Sequence, residues 1–84
     1  MIDLPAYFKR IGFTGPAAPN LATLNELVLR HVQSIPFENL DVLLNRRIWL
    51  SPEALQQKLV HERRGGYCFE QNGLLLHVLE ALGF

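Results

Sequence analysis

The feature that most constrains the fold is a pair of helix-forming segments separated by Gly65-Gly66 in the 84-residue chain. Before the glycines, "SPEALQQKLVHER" (51–63) begins with a serine that can cap a helix and a proline suited to its first position. After them, apolar residues recur at helical spacing from about Cys68 to Leu82. Because two adjacent glycines interrupt a helix, the sequence predicts two helices that meet at a short junction.

The first half of the chain carries further helix signals. Asp3 predicts the start of a first helix and Gly12 its end. Thr23, with Glu26 three residues later, predicts a capping box at the start of a second helix. Pro36 disfavours helical geometry at the residue before it, so the second helix should end near residue 34.

The stretch between these helices and Ser51 is apolar but short. "FENLDVLL" (37–44) predicts one or two helical turns with Phe37, Leu40 and Leu44 facing inward, and residues 47–50 suggest a brief extended segment. The predicted fold is therefore all-α, a small bundle of four to five short helices in one domain spanning residues 1–84.

Composition excludes several classes of protein. The eight basic and eight acidic residues balance and form no basic stripe, so we expect no nucleic-acid partner. No run approaches the roughly 20 apolar residues that cross a bilayer, and Asp3, Pro5 and Lys9 interrupt any signal peptide. We therefore expect a cytoplasmic protein without a membrane partner. A single cysteine excludes an internal disulfide and a cysteine-rich zinc site, and we expect no metal.

That cysteine, Cys68, is the strongest candidate for chemistry. The first turn of a helix presents unpaired N–H groups and the positive end of the helix dipole, which favour the nucleophilic thiolate and could hold an oxyanion. The alternative is a small buried hydrophobe inside a non-enzymatic helical module. A nucleophilic cysteine also needs a base. His77 lies about 13 Å along the same helix, and His31 and His61 fit structural or surface roles at helix ends.

Polar residues around Cys68 give further candidates. Glu38, in apolar surroundings, is either solvated or paired with Arg64. Gln71 and Asn72 are positioned to hydrogen-bond the loop that carries the thiol, or are ordinary polar residues near a helix start. Glu70, with Gly73, His77 and Glu80, forms the polar stripe of the last helix, which we expect to be solvated.

Several motifs resemble those of the arylamine N-acetyltransferases. They are "RGGYCFEQN" (64–72), "IPFENLDVLL" (35–44), "YFKRIG" (7–12), the leucine and threonine pattern of residues 21–27, and "LHVLEALGF" (76–84). The resemblance covers the whole chain, and the cysteine motif is long and specific.

The resemblance implies an enzyme that carries acetyl from acetyl-CoA to arylamines, hydrazines or arylhydroxylamines through an acetyl-cysteine. By motif match Cys68 is the nucleophile, Glu38 and Arg64 support the site structurally, and Phe37 lines the acceptor pocket. The family's fold begins with a helical bundle and continues into a β-rich domain and a lid. Its triad is completed by a histidine and an aspartate from the β-rich part.

None of the three histidines matches that missing residue, and the chain stops at a helix end near Gly83. We therefore expect an N-terminal domain that is inactive or nearly so alone and exposes apolar surface that promotes self-association. The alternatives are a fragment of another Cys-His-Asp acyl transferase, transglutaminase-like or papain-like, and the non-enzymatic module.

Overall fold

In a computed structural model, which describes residues 2–84, helices joined by loops make up the chain. The elements are α1 (Leu4–Ile11), α2 (Leu21–Ser34), α3 (Leu40–Leu43), α4 (Pro52–Leu55), a π-helix (Gln56–His61) that continues α4 directly, and α5 (Cys68–Leu82). Within the described residues the β-type pairing is a single parallel bridge between Phe37 and Gly66. The all-α prediction is confirmed.

Most helix ends follow the sequence signals. The Asp3 side chain accepts a hydrogen bond from the Ala6 N–H, and Gly12 ends α1 with a left-handed φ of 72°. Ser51 caps α4 by accepting from the Ala54 N–H. The predicted helix over 51–63 forms, but it widens into the π-helix after Leu55 and ends at His61, before the glycines.

The predicted capping box of α2 is wrong. Asn20 is the cap, and its side chain accepts from the Thr23 N–H, so Thr23 lies inside the first turn. Glu26 instead pairs with Arg30, one turn further along the helix. Asparagine caps a helix at least as well as threonine, and starting at residue 21 adds a turn to α2.

The core lies where α1 packs against α2 and the π-helix, and α4 against α5. Its fully buried apolar side chains are Tyr7, Leu27, Leu55, Leu59, Leu74 and Val78. Arg10 ties α1 to α2 and to the π-helix, because its Nε donates to the Leu59 carbonyl at 2.8 Å and its Nη1 to the Ser34 carbonyl at 2.6 Å. Both carbonyls lie near helix C-termini, where a cation is favourable.

The segment between α2 and α4 lies on the surface. Phe37, Leu40 and Leu44 are 68%, 53% and 59% exposed, so the prediction that they face inward is wrong. Helix α3 has four residues and buries none of them. Residues 47–50 form no strand in the described part of the chain. The apolar residues of this segment form a surface that no helix among residues 2–84 covers.

None of the described helices combines the length and the apolar character needed to cross a bilayer.

Candidate active site

Cys68 is exposed and is the first residue of α5. The first N–H groups of a helix have no carbonyl partner within that helix, and they carry its positive partial charge. The Cys68 side chain is therefore attached where free backbone N–H groups point out of the N-terminal end of α5. The prediction that Cys68 opens the last helix is confirmed, and the alternative of a buried hydrophobe is wrong.

The junction before Cys68 lies directly against the chain that follows α2. The Glu38 N–H donates to the Gly66 carbonyl at 2.9 Å, and the Gly66 N–H donates to the Pro36 carbonyl at 3.2 Å. A Cβ atom on Gly65 would lie 2.0 Å from the Pro36 oxygen. Glycine is required at position 65 because the two backbones touch there.

Glu38 and Arg64 form an ion pair across this junction. The second Glu38 oxygen accepts from the Gly65 N–H at 3.1 Å. Partial burial opposes the charge on Glu38, but the hydrogen bonds from Arg64 and Gly65 outweigh it and hold the pKa of Glu38 below its usual value. Of the two alternatives left open for Glu38, the pairing with Arg64 is confirmed.

Asp41 and Lys58 extend the pair into a cluster. Arg64 donates to both Asp41 oxygens, at 3.1 and 3.3 Å, and Lys58 Nζ donates to Asp41 Oδ2 at 2.8 Å. These bonds from Lys58 and Arg64 lower the pKa of Asp41. Sequence reasoning missed both residues; the one signal is that Asp41, in the first turn of α3, follows Glu38 by only three positions.

Glu70 is the last member of the cluster. The prediction that it lies on a solvated stripe of the last helix is wrong. It is 2% exposed, not solvated, and its Oε2 accepts from Lys58 Nζ at 2.8 Å. Its Oε1 accepts from the Tyr67 N–H at 3.2 Å, which caps the start of α5. Although burial opposes its charge, Lys58 has a raised pKa because both carboxylates accept its hydrogen bonds. We name Glu38, Asp41, Lys58, Arg64 and Glu70 the charge cluster.

His31 is buried between Tyr7 and Gln71. Its Nδ1 lies 2.7 Å from the Tyr7 hydroxyl, and its Nε2 lies 2.7 Å from Gln71 Oε1. Burial, and to a lesser degree the charge of Arg10, lower the pKa of His31 against the hydrogen bond to Gln71. Both ring nitrogens are engaged in the interior, so His31 is not placed to take a proton from Cys68.

The other two histidines are also committed elsewhere. His61 Nε2 accepts from Gln56 Nε2 at 3.3 Å, at the end of the π-helix. His77 Nδ1 lies 3.6 Å from Glu80 Oε1, further along α5. Within residues 2–84, the structure brings no imidazole to Cys68.

An apolar groove opens between α2 and α5, with a volume of about 340 Å³. Its lining residues are Val28, His31, Val32, Ile35, Phe37, Gln71, Asn72 and Leu75. Phe37 thus lines an open groove and does not lie in the core. Gln71 makes the predicted contact with the loop before the thiol, through the Gly66 carbonyl at 3.2 Å.

Comparison with known proteins agrees with this arrangement. A family profile described as N-acetyltransferase matches residues 20–84. Arylamine N-acetyltransferase of Escherichia coli is 58% identical over 78 residues, which are 93% of this chain and 28% of that protein. The arylamine N-acetyltransferase structure from M. tuberculosis superposes with a TM-score of 0.94 at 56% identity, covering 96% of this chain and 30% of that one.

A third relative has been solved with a ligand. Mycobacterium marinum arylamine N-acetyltransferase in complex with CoA has a TM-score of 0.92 and 50% identity, over 96% of this chain and 30% of that one. The chain therefore belongs to the arylamine N-acetyltransferase family. It spans between 28% and 30% of the length of these three relatives. Membership of this family excludes the alternatives of a transglutaminase-like or papain-like fragment.

Proposed function

We propose that Cys68 is the acetyl-accepting nucleophile of an acetyl-CoA-dependent arylamine N-acetyltransferase. Residues 1–84 are then its N-terminal helical domain, which β-rich and lid domains follow. The observation that carries the proposal is an exposed thiol at the start of α5, on a junction that the charge cluster holds in place. Such a site is typical of activated cysteine nucleophiles.

The chemistry proceeds in two acyl transfers. In the first, the Cys68 thiolate attacks the thioester carbonyl of acetyl-CoA, a new C–S bond forms, and the bond to the CoA sulfur breaks. CoA leaves as its thiol after taking up a proton. In the second, the nitrogen of an arylamine or hydrazine, or the oxygen of an arylhydroxylamine, attacks the acetyl-cysteine, loses a proton and releases Cys68. Backbone N–H groups at the start of α5 are suited to hold the oxyanion in both steps.

The base in this proposal comes from sequence outside residues 1–84. Its support is that His31, His61 and His77 are each engaged with other side chains. A cysteine–histidine pair works only when the two side chains are within hydrogen-bond reach. The 84-residue chain alone should therefore turn over substrate very slowly or not at all.

The supporting residues have distinct parts. Glu38 and Arg64 hold the junction, and neither touches the sulfur in the contacts described. Phe37 offers an exposed aromatic ring beside the junction, suited to an acceptor that is itself aromatic, an arylamine, hydrazine or arylhydroxylamine. The proposed acyl transfers involve no metal.

Steady-state kinetics test the proposal. A longer protein that carries residues 1–84 is assayed with varied acetyl-CoA and an aniline-type acceptor, beside the 84-residue chain and a Cys68→Ser variant. Parallel double-reciprocal lines for the longer protein, with no turnover by the other two, are expected. Intersecting lines, or full turnover by Cys68→Ser, would contradict a cysteine intermediate. Full turnover by the 84-residue chain would contradict the external base.

A further inference from the structure

Gln71 donates to backbone on both sides of the junction. Its Nε2 lies 3.3 Å from the Ile35 carbonyl, 2.9 Å from the Pro36 carbonyl and 3.2 Å from the Gly66 carbonyl. These oxygens belong to the two segments that pair through the Phe37–Gly66 bridge. We propose that Gln71 is a positioning residue that fixes the Cys68 loop relative to Phe37; this rests on the proposed function.

The hydrogen bonds around Gln71 have only one consistent direction. Carbonyl oxygens accept and never donate, so the amide nitrogen must face them and Oε1 must face His31. His31 Nε2 therefore carries the hydrogen, and Nδ1 accepts from the Tyr7 hydroxyl. Burial favours the neutral forms of both partners, since it lowers the pKa of His31 and raises that of Tyr7.

Hydrogen bonds at both ends hold the Gln71 amide in one position. A glutamine on a helix surface rotates among several rotamers, whereas here one end is held by a buried imidazole and the other by three carbonyls. The histidine thus serves as a fixed donor for Gln71. His31 has this role without giving up or taking a proton during the reaction.

The position of Gln71 couples two parts of the reaction. Gly66 is two residues before the nucleophile, and Pro36 immediately precedes the proposed acceptor contact, Phe37. Loosening the amide should therefore misplace the sulfur and the aromatic ring together. Small misplacements of reacting groups reduce rates strongly, by about 100-fold for 1 Å.

The test compares variants of a longer protein that carries residues 1–84. Gln71→Met keeps the length of the side chain and removes its donors. Gln57→Met is the matched control, because Gln57 is exposed and its side chain bonds only the Glu62 side chain in the contacts described. The readouts are the rate of Cys68 acetylation by p-nitrophenyl acetate, the KM for an arylamine, the 15N signals of the His31 ring and the thermal midpoint.

We expect Gln71→Met to slow acetylation by roughly 10- to 100-fold and to raise the arylamine KM, with the His31 15N signals shifted and the thermal midpoint lowered by only a few degrees, because the buried His31 Nε2–H loses its acceptor. Gln57→Met should match the unchanged protein in all four. An acetylation rate within about twofold of the unchanged protein would overturn the proposal, as would a loss of rate that only follows loss of fold.

A second variant keeps the proposal testable if Gln71→Met does not fold. Tyr7→Phe removes only the hydroxyl that donates to His31 Nδ1 and so loosens the ring that holds Gln71, and it should produce a smaller slowing of acetylation of the same sign. An acetylation rate in Tyr7→Phe equal to that of the unchanged protein would overturn the proposal.

The two proposals fail in different ways. If the unchanged protein is not acetylated at Cys68, the proposed function is wrong. Amide hydrogen exchange at Gly66 and Glu38 then still decides the structural claim: faster exchange in Gln71→Met supports it, and unchanged exchange overturns it.

Discussion

The junction that carries Cys68 and the apolar stretch of residues 42–50 are built in opposite ways. Residues 35–38 and 64–71 are joined by backbone bonds, the ion pair of Glu38 with Arg64 and the amide of Gln71. Residues 42–50 carry exposed apolar side chains, with Leu43 71% and Trp49 58% exposed, and Trp49 contacts Arg47 at 4.2 Å. The comparison teaches that the contacts among residues 2–84 are enough to hold the site around Cys68. They are not enough to cover the apolar stretch of residues 42–50.

The largest expected effect comes from breaking the junction itself. Gly65→Ala places a Cβ atom 2.0 Å from the backbone oxygen of Pro36, so the two segments must separate. We expect a loss of more than about 3 kcal/mol in the free energy of unfolding, measured by urea titration. Gly15→Ala, where the added atom meets Phe13 at 3.6 Å, should change it by less than about 0.5 kcal/mol. Equal stability of both variants would contradict the close contact.

A somewhat smaller loss should follow from removing the cation of the cluster. Arg64→Met leaves Glu38 and Asp41 without that partner, and because both groups are only partly screened we expect about 2 kcal/mol lower stability. Arg46→Met is the control, since its side chain is 63% exposed and 3.7 Å from Asp41. Adding Glu38→Gln to Arg64→Met should recover part of the loss in chemical denaturation. Strict additivity would argue against an interacting pair.

Acid should weaken the bonded region in two stages. The pKa of His31 is lowered by burial, so the unfolded chain binds more protons than the folded one, and stability falls as the pH drops below about 6.5. The lowered pKa values of Glu38 and Asp41 give stability that is present above about pH 4 and lost below it. Urea midpoints between pH 8 and pH 3 measure both; a midpoint that rises on acidification would refute the assignment.

The smallest effect on stability, and the sharpest contrast, is expected in the apolar stretch. Leu43→Gln with Trp49→Gln should change the unfolding free energy by less than about 0.5 kcal/mol, because both side chains are largely exposed. The 84-residue chain should self-associate through this surface, and the double variant should do so less. Sedimentation velocity at increasing concentration checks this. A monomer at all concentrations would show that the stretch is not adhesive.

Much of this arrangement could be predicted from local signals. Asp3, Gly12, Pro36 and Ser51 mark helix ends correctly, because capping and proline geometry act within a few residues. The start of α5 at Cys68 follows from the glycines before it. The pairing of Glu38 with Arg64 was one of two alternatives, which chemistry alone could not separate.

What could not be predicted depends on distant partners. Glu70 lies on the polar side of α5, and only the arrival of Lys58 from the π-helix makes its burial favourable. The inward prediction for Phe37, Leu40 and Leu44 failed because apolar character does not say which surface will cover a residue. His31 gave no sign in sequence of its contact with Gln71, forty residues away.

The central claim is that Cys68 accepts the acetyl group, and the location of that group tests it most directly. A longer protein that carries residues 1–84 is mixed with acetyl-CoA without acceptor, quenched in acid and mapped by peptide mass spectrometry. The account predicts one acetyl group on Cys68 that disappears when an arylamine is added. Acetyl on lysine alone, or a Cys68 peptide unmodified while the amine is still acetylated, would contradict it.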